Sequence, residues 1–531
     1  MKRNITRQGL PSMLTAAIVL AAIVLAAAGP AAAQTDLSIG DTPTTDFAAV
    51  NPANVDRAID TLPASVARAM ERTGVPGVAV AAIHDGKVVF LEGFGVRELP
   101  AGALVTPDTA FQIASISKPI AATVAAIQVG KGTISWDDPV SRHLPDLRLS
   151  DEYITRHATI GDFFAHRSGL PMAAGDELED LGFDRAAILE RLALVPLDPF
   201  RISYHYANFG TTIAAEAVAA AAGAEWEKLS DKTLYEPLGM TSTSSRHADF
   251  VARENRATLH TFENGIFEPL HVRNADAQAP AGGVSSSARD MASWMKLILS
   301  GGVYQGDRIL DADAILPAVT PQVVSARGHR PDARAGFYGY GFNVGVTPTG
   351  RTVLGHSGAF ANGAATHMQM IPDFSLGIVI LSNGGPVGLP EAIAAEFMDT
   401  AQFGAPSRDW LTAYGGAMAG LYAPTGDLAG KDTPTDAAAP APLETYAGTY
   451  ENAYFGQAQV EVTDEGLVVA LGPAPQRFPL RHWSGDTFAI APRNENAPAG
   501  SLSSVTFRGD GEHGTMVIEY LNVNGTGIWR R

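Results

Sequence analysis

Apolar positions set the outline of this chain. Val78 to His84 is a β-rich apolar run, Asp85-Gly86 follows, and the run resumes from Lys87 to Phe90. Asp-Gly between two such runs predicts a hairpin, because both residues tolerate the positive φ of a tight turn. Far downstream, Arg351 to Leu354, Ala364 to Ile371 and Leu376 to Leu381 also read as strands, with a turn at Pro372-Asp373 joining the last two. Between these outer strands the chain is mostly helical and loop-like, with candidate helices at Ile120–Val129, Thr211–Ala222 and Ala288–Leu299. Both ends of this region can therefore share one sheet, with a helical block inserted between them. From Pro424 to Pro442 the composition shifts to Pro, Ala, Thr, Gly and Asp, which marks a linker. Beyond it Val460, Val462, Leu467, Val469, Phe488, Val505, Phe507, Val517 and Ile518 lie in short runs between Gly and Pro breaks. Those runs predict an antiparallel β-domain of about 90 residues.

The N-terminus reads as an address. Lys2, Arg3 and Arg7 precede an apolar stretch centred on Leu14–Ala28, and Gly29-Pro30 and Ala31-Ala32-Ala33 close it. This is the pattern of a secretory signal peptide cut after Ala33, which makes the mature protein periplasmic or secreted. The rival is an uncleaved membrane anchor, but the stretch is short for a span and Gly29-Pro30 breaks it. Residues 34–52 are polar with two prolines and read as a flexible arm.

Composition narrows the chemistry. With 531 residues, 46% apolar and 18% charged, the chain can bury one large core or two, which excludes a coiled coil or a wholly disordered protein. A formal net charge of −18 makes it a poor ligand for nucleic acid or anionic membranes. The absence of cysteine removes disulfides, thiol nucleophiles and thiolate metal sites, so any nucleophile is Ser, Thr, Lys or a carboxylate. The 13 histidines are scattered without an H-E-x-x-H, no P-loop occurs, and Gly339-Tyr340-Gly341 lacks dinucleotide-fingerprint spacing. No metal and no cofactor are expected, and His166 and His367 read as structural.

Three short motifs carry candidate chemistry. Ser115-Ile116-Ser117-Lys118 is an S-x-x-K match; on a helix the two ends share a face, so a lysine with a lowered pKa can take the hydroxyl proton. Pro119 fits a first helical turn, placing Ser115 near a helix N-terminus that favours developing negative charge. By spacing alone Ser115 could equally be a helix cap, and Ser293-Trp294-Met295-Lys296 is a second match on an amphipathic helix. Tyr206-Ala207-Asn208 offers a phenol to relay a proton and an amide to orient the lysine or a substrate. Tyr450-Glu451-Asn452 and Tyr520-Leu521-Asn522 also fit Y-x-N but fall in the C-terminal region. Gly355-His356-Ser357-Gly358-Ala359 follows a short strand and has two readings. In one, His356 lines a site and Gly358 and Ala359 let the backbone approach a substrate. In the other, Ser357 is a G-x-S-x-G nucleophile elbow, which Ala359 leaves incomplete.

The order S-x-x-K, Y-x-N, H-x-G resembles the serine β-lactamase and penicillin-binding protein superfamily, in its class C-like branch with D-aminopeptidases and family VIII esterases. The resemblance extends through residues 111–146, 159–171 (TIGDFFAHRSGLP), 235–243, 281–295 and 354–363. Residues 443–472 resemble the lipocalin-like β-domain appended to such hydrolases. It implies an α+β fold: a β-lactamase/transpeptidase-like antiparallel sheet flanked by helices, a helical subdomain, and a small C-terminal antiparallel β-barrel. The organisation expected is a signal peptide over 1–33, an arm over 34–52, a hydrolase domain over 53–405, a linker over 406–442 and a β-domain over 443–531.

The resemblance also implies roles. Ser115 would be the acylated nucleophile, Lys118 its base or relay, Tyr206 the second acid/base group, and Asn208 a pocket-orienting amide. His356, Ser357 and Gly358 would form the third motif, with the N–H groups of Ser115 and Ala359 as oxyanion hole. One departure matters: His356 stands where the β-lactamases have the lysine of K-T-G. A neutral imidazole is a weaker anion anchor than an ammonium, which argues against efficient β-lactam hydrolysis. The leading expectation is an exported serine hydrolase acting on a small peptide or amide. The alternatives are a carboxylesterase on short acyl esters and a non-catalytic peptide or cell-wall binding protein. No nucleic-acid partner and no stable membrane span after cleavage are expected, and oligomeric state stays open.

Overall fold

The computed structural model describes residues 51–492, 494–509 and 513–531. The expected signal peptide over residues 1–33 and residues 34–50 of the expected arm lie outside them. Asn51 and Pro52, read with the arm, instead open helix α1 (Pro52–Thr73): the Asn51 side chain accepts from Ala53 N, and Pro52 needs no amide partner at the first position. The left-handed Gly74 ends it.

The predicted hairpin forms as β1 (Gly77–His84) and β2 (Lys87–Gly95). The inserted block supplies α2 (Ser117–Gly130), a short α3 (Asp176–Asp180), α4 (Asn208–Ala222) and α5 (Ala288–Leu299). The chain then returns through β3 (Val323–Ala326), β4 (Gly336–Tyr338), β5 (Asn343–Val346), β6 (Thr352–Phe360), β7 (Ala364–Ile371) and β8 (Leu376–Ser382). Helices α6 (Leu389–Phe403) and α7 (Trp410–Met418) follow. All eight strands form one antiparallel sheet in the order β2-β1-β8-β7-β6-β5-β4-β3, so the two ends of the region do meet, β1 pairing with β8. Strands β1 and β8 are apolar up to their last residues, His84 and Ser382, because both sheet faces are covered. Val78, Val80 and Ile380 pack with α1 and α6, while Ala79, Ala81 and Leu381 join the core containing α2 and α5.

Two expectations change here. Strand β6 runs on to Phe360, so His356, Ser357 and Gly358 lie inside a strand and do not follow one. The expected linker is also ordered in part. Asp409 caps α7, Leu411 is buried with α1 and α6, and the stretch after α7 is pinned to the C-terminal region by Leu502 N–H to Thr425 O and Leu428 N–H to Leu502 O. A composition rich in small residues permits such close docking as readily as it permits disorder.

The C-terminal region is an eight-stranded antiparallel sheet, β9 (Gly448–Tyr450), β10 (Ala458–Thr463), β11 (Gly466–Leu471), β12 (Gln476–Ser484), β13 (Thr487–Ile490), β14 (Ser503–Arg508), β15 (Thr515–Ile518) and β16 (Ile528–Arg530), each paired with the next. Glu451 and Arg530 exchange backbone hydrogen bonds of 2.7 and 2.9 Å, nearly closing the barrel and removing its open edges. The barrel grips α3: Gln476 Nε2 donates to Asp180 O at 2.8 Å, and Arg273 ties Glu179 to Glu495 of the barrel.

Candidate active site

The S-x-x-K motif forms at the entry to α2. Ala114–Ile116 makes a 3₁₀ turn that runs into the helix, and Ala114 holds a left-handed φ of 47° immediately before Ser115. The turn is clamped from three sides. Thr366 Oγ1 on β7 donates to Ile113 O at 2.9 Å, Ser117 Oγ donates to Ala114 O at 2.6 Å, and Ile113 N–H donates to Val284 O at 3.0 Å. Ser115 makes no capping bond, so the cap reading is set aside. The second match, Ser293 and Lys296, lies on the half-buried face of α5 against Tyr304.

Lys118 is completely buried, and its Nζ has three neighbours: Ser115 Oγ at 3.2 Å, Asn208 Oδ1 at 2.7 Å and Ala281 O at 2.9 Å. Burial lowers its pKa to about 7, against a smaller opposing pull from the Asp176 charge. An amine has two N–H groups and one lone pair. The amide and carbonyl oxygens are acceptors only, so they take the N–H groups and leave the lone pair for the Ser115 hydroxyl. Such an arrangement can let Lys118 take the proton of the Ser115 hydroxyl.

Tyr206 completes the group. Its phenol neighbours the Ser115 side chain, and its ring lies 4.4 Å from Lys118 Nζ. Burial drives the phenol pKa far above its ordinary value, so Tyr206 keeps its proton at neutral pH. Asn208, at the start of α4, donates through Nδ2 to Asp176 Oδ2 at 2.9 Å while its Oδ1 faces Lys118.

The third motif divides between the two faces of β6. His356 and Gly358 face the site. Pairing with β5 stops at Gly355, so beyond it this edge, including Ala359, has no neighbouring strand. A Cβ on Gly358 would fall 2.2 Å from Ile113 O and 2.9 Å from Ser115 N, so only glycine lets the strand lie against the Ser115 turn. Ser357 does not join the site. Side chains alternate along a strand, and its hydroxyl meets His367 Nδ1 at 2.9 Å on the opposite face. That placement also removes the elbow reading.

His356 is buried, and burial with the nearby Lys118 charge lowers its pKa to about 3. Nδ1 lies 2.6 Å from Ser357 O and donates to it, so Nε2 accepts from the Tyr338 hydroxyl at 2.9 Å. The imidazole is neutral with both nitrogens committed, which supplies no cation for a substrate carboxylate.

Sequence reasoning missed several neighbours. His166, read as structural, packs its ring 4.5 Å from Tyr206 and 5.1 Å from Tyr338; Nδ1 accepts from Ala207 N–H and Nε2 has no partner. Tyr338 and Gly341 belong to the glycine–aromatic run weighed only as a dinucleotide fingerprint. A Cβ on Gly341 would sit 2.6 Å from Lys118 O, so this glycine serves close approach to α2. Asp176 carried no motif. Among the described residues no group of three or more His, Asp or Glu is placed to hold a metal ion.

Residues 432–529 match a domain of unknown function, DUF3471. Beta-lactamase-like protein 2 of Dictyostelium discoideum is 29% identical over 48% of this chain, which spans 47% of that protein. Unguisins hydrolase ungD of Aspergillus violaceofuscus is 25% identical over 80% of this chain and 81% of its own length. D-alanyl-D-alanine-carboxypeptidase/endopeptidase AmpH of Escherichia coli is 26% identical over 59% of this chain and 81% of its own. In fold, the octameric penicillin-binding protein homologue from Pyrococcus abyssi superposes with a TM-score of 0.57 at 19% identity, over 89% of this chain and all of that one. Residues 60–403, well over half of the chain, match the Beta-lactamase family model, and with a buried lysine poised on a serine beside a glycine-lined strand, the chain belongs to the beta-lactamase family of serine hydrolases.

Proposed function

We propose that the protein is an exported serine hydrolase of the S-x-x-K type that forms an acyl-enzyme on Ser115 and acts on peptides or amides. The observation that carries this is the Lys118 amine, completely buried, its pKa lowered to about 7, and 3.2 Å from Ser115 Oγ. Ser115 Oγ attacks the carbonyl carbon while its proton passes to Lys118 Nζ. The oxyanion lies at the backbone N–H groups of Ser115 and Ala359. The C–N bond then breaks as the leaving nitrogen takes a proton passed from Lys118 through the Tyr206 hydroxyl. Water then attacks the acyl carbon, its proton passes by the same groups to Ser115 Oγ as the bond between that oxygen and the acyl carbon breaks, and the acid is released. The neutral His356 favours substrates without a carboxylate beside the scissile bond, and the peptidase relative AmpH lends weight to peptides.

Fluorophosphonate labelling of the mature protein, read by intact mass and peptide mapping, tests the reading. Label on Ser115 is expected; folded protein that takes none would favour the binding-protein alternative. Tyr206→Phe separates the substrate classes. A leaving amine needs a proton more than an alkoxide does, so the variant is expected to lose about 100-fold in kcat on an amide and markedly less on the matched ester. Equal losses would remove Tyr206 from leaving-group protonation.

A further inference from the structure

We propose that Asp176 is a positioning residue, which keeps the Lys118 lone pair on Ser115 by fixing the orientation of the Asn208 amide. The inference rests on the acyl-enzyme reading above. An asparagine side chain can be turned over at little steric cost, exchanging its oxygen for its NH₂ group. In one orientation Oδ1 accepts from Lys118. In the other, Nδ2 would donate to Lys118 Nζ and occupy the lone pair that must receive the Ser115 proton. What separates them is the partner beyond. Asp176 Oδ2 accepts from Asn208 Nδ2 at 2.9 Å, and Asn208 Oδ1 then faces Lys118 at 2.7 Å. A turned amide would aim its oxygen at the carboxyl group.

The local structure is built to hold Asp176 in place. Gly175 before it has φ 93°, and a Cβ there would lie 2.8 Å from Phe209, on the helix that carries Asn208. Asp176 Oδ1 is buried without a hydrogen-bond partner, so Asn208 is the side chain that satisfies this group. Burial and the neighbouring Glu179, Asp180 and Glu177 raise the Asp176 pKa well above the usual carboxylate range. The selection belongs to the carboxylate form, which can only accept, whereas a protonated carboxyl group could donate to the oxygen of a turned amide. Around this turn Arg273 meets Glu179 and Glu495, and Tyr454 meets Glu177. Across the site stand Lys118 and Tyr206, with His166 and His356 beyond them.

Asp176→Ala and Asp176→Asn in the full mature chain test the proposal through two readouts. The first is the rate of fluorophosphonate labelling at Ser115. Asp176→Ala is expected to slow it at least ~10-fold, and Asp176→Asn, which keeps an acceptor oxygen, to restore most of the rate. The second is the titration of Lys118, followed by the ¹³Cε signal that Lys118→Met removes. Loss of the carboxyl charge in either variant is expected to move the midpoint downward by about one pH unit from near 7. Labelling at the wild-type rate in Asp176→Ala, equal damage from both variants, or an unmoved midpoint would overturn the proposal. If Asp176→Ala fails to fold, Asp176→Asn and its midpoint decide alone. A wild-type protein that takes no label at Ser115 would instead sink the acyl-enzyme reading, while the lysine titration still reports on Asp176.

Discussion

Ser115→Ala is expected to lower kcat at least ~10⁴-fold on any substrate the protein turns over, Lys118→Met by a comparable factor, and the double variant by no more than either alone. The non-additivity is the informative part. Ser115 and Lys118 are argued to act as one unit, a nucleophile and the base that takes its proton. Once either is gone, the other has nothing left to contribute. Residual turnover would come from the oxyanion N–H groups and from binding. The pH profile gives the assignment its sign. Below about 7 Lys118 is an ammonium with no lone pair, so kcat/KM is expected to rise with pH through about 7 and to level off above it. In Lys118→Met that rise should vanish from whatever activity remains. Double-variant kinetics that multiply the two single losses would break the unit apart. A rise that persists in Lys118→Met would assign it to another group.

Much of this arrangement was legible in the sequence because it rests on local periodicity. Ser115 and Lys118 share a helical face, Tyr206 and Asn208 flank the start of α4, and the outer strands declared themselves by apolar runs bounded by turn residues. What stayed hidden depends on contacts between distant segments. Asp176 sits in an acidic stretch with Glu177, Glu179 and Asp180 that carries no motif. Only the fold reveals that the barrel covers it. His166 and Tyr338 are ordinary half-apolar residues until β4 and the 159–171 loop bring them beside Tyr206. The face of β6 that Ser357 occupies was set by a strand longer than its apolar portion. A glycine-rich stretch weakens the strand signal even where close packing demands glycine, as Gly358 does.

Arg273→Ala is expected to destabilise the folded protein by about 3–5 kcal/mol, because it strands two carboxylates that have little access to water. The Arg273 side chain is 11% exposed, Glu179 5% and Glu495 14%, so solvent cannot stand in for the lost guanidinium. Arg273 Nη2 donates to Glu179 Oε2 at 2.5 Å and Nε to Glu495 Oε2 at 2.9 Å, joining α3 to the barrel. The direction with pH separates this from a simple loss of packing. Burial raises the Glu495 pKa, and the Arg273 charge opposes the rise. Without it the Glu495 carboxyl group holds its proton more tightly. Acid then neutralises that stranded charge, so the deficit relative to the parent protein should shrink as pH falls from 8 to 5. Denaturant unfolding of the full chain at the two pH values measures it. A deficit that is equal at both would mean that Arg273 matters through the apolar contact of its stem with Phe360, over whose ring its guanidinium carbon lies at 5.3 Å, and not through its charge.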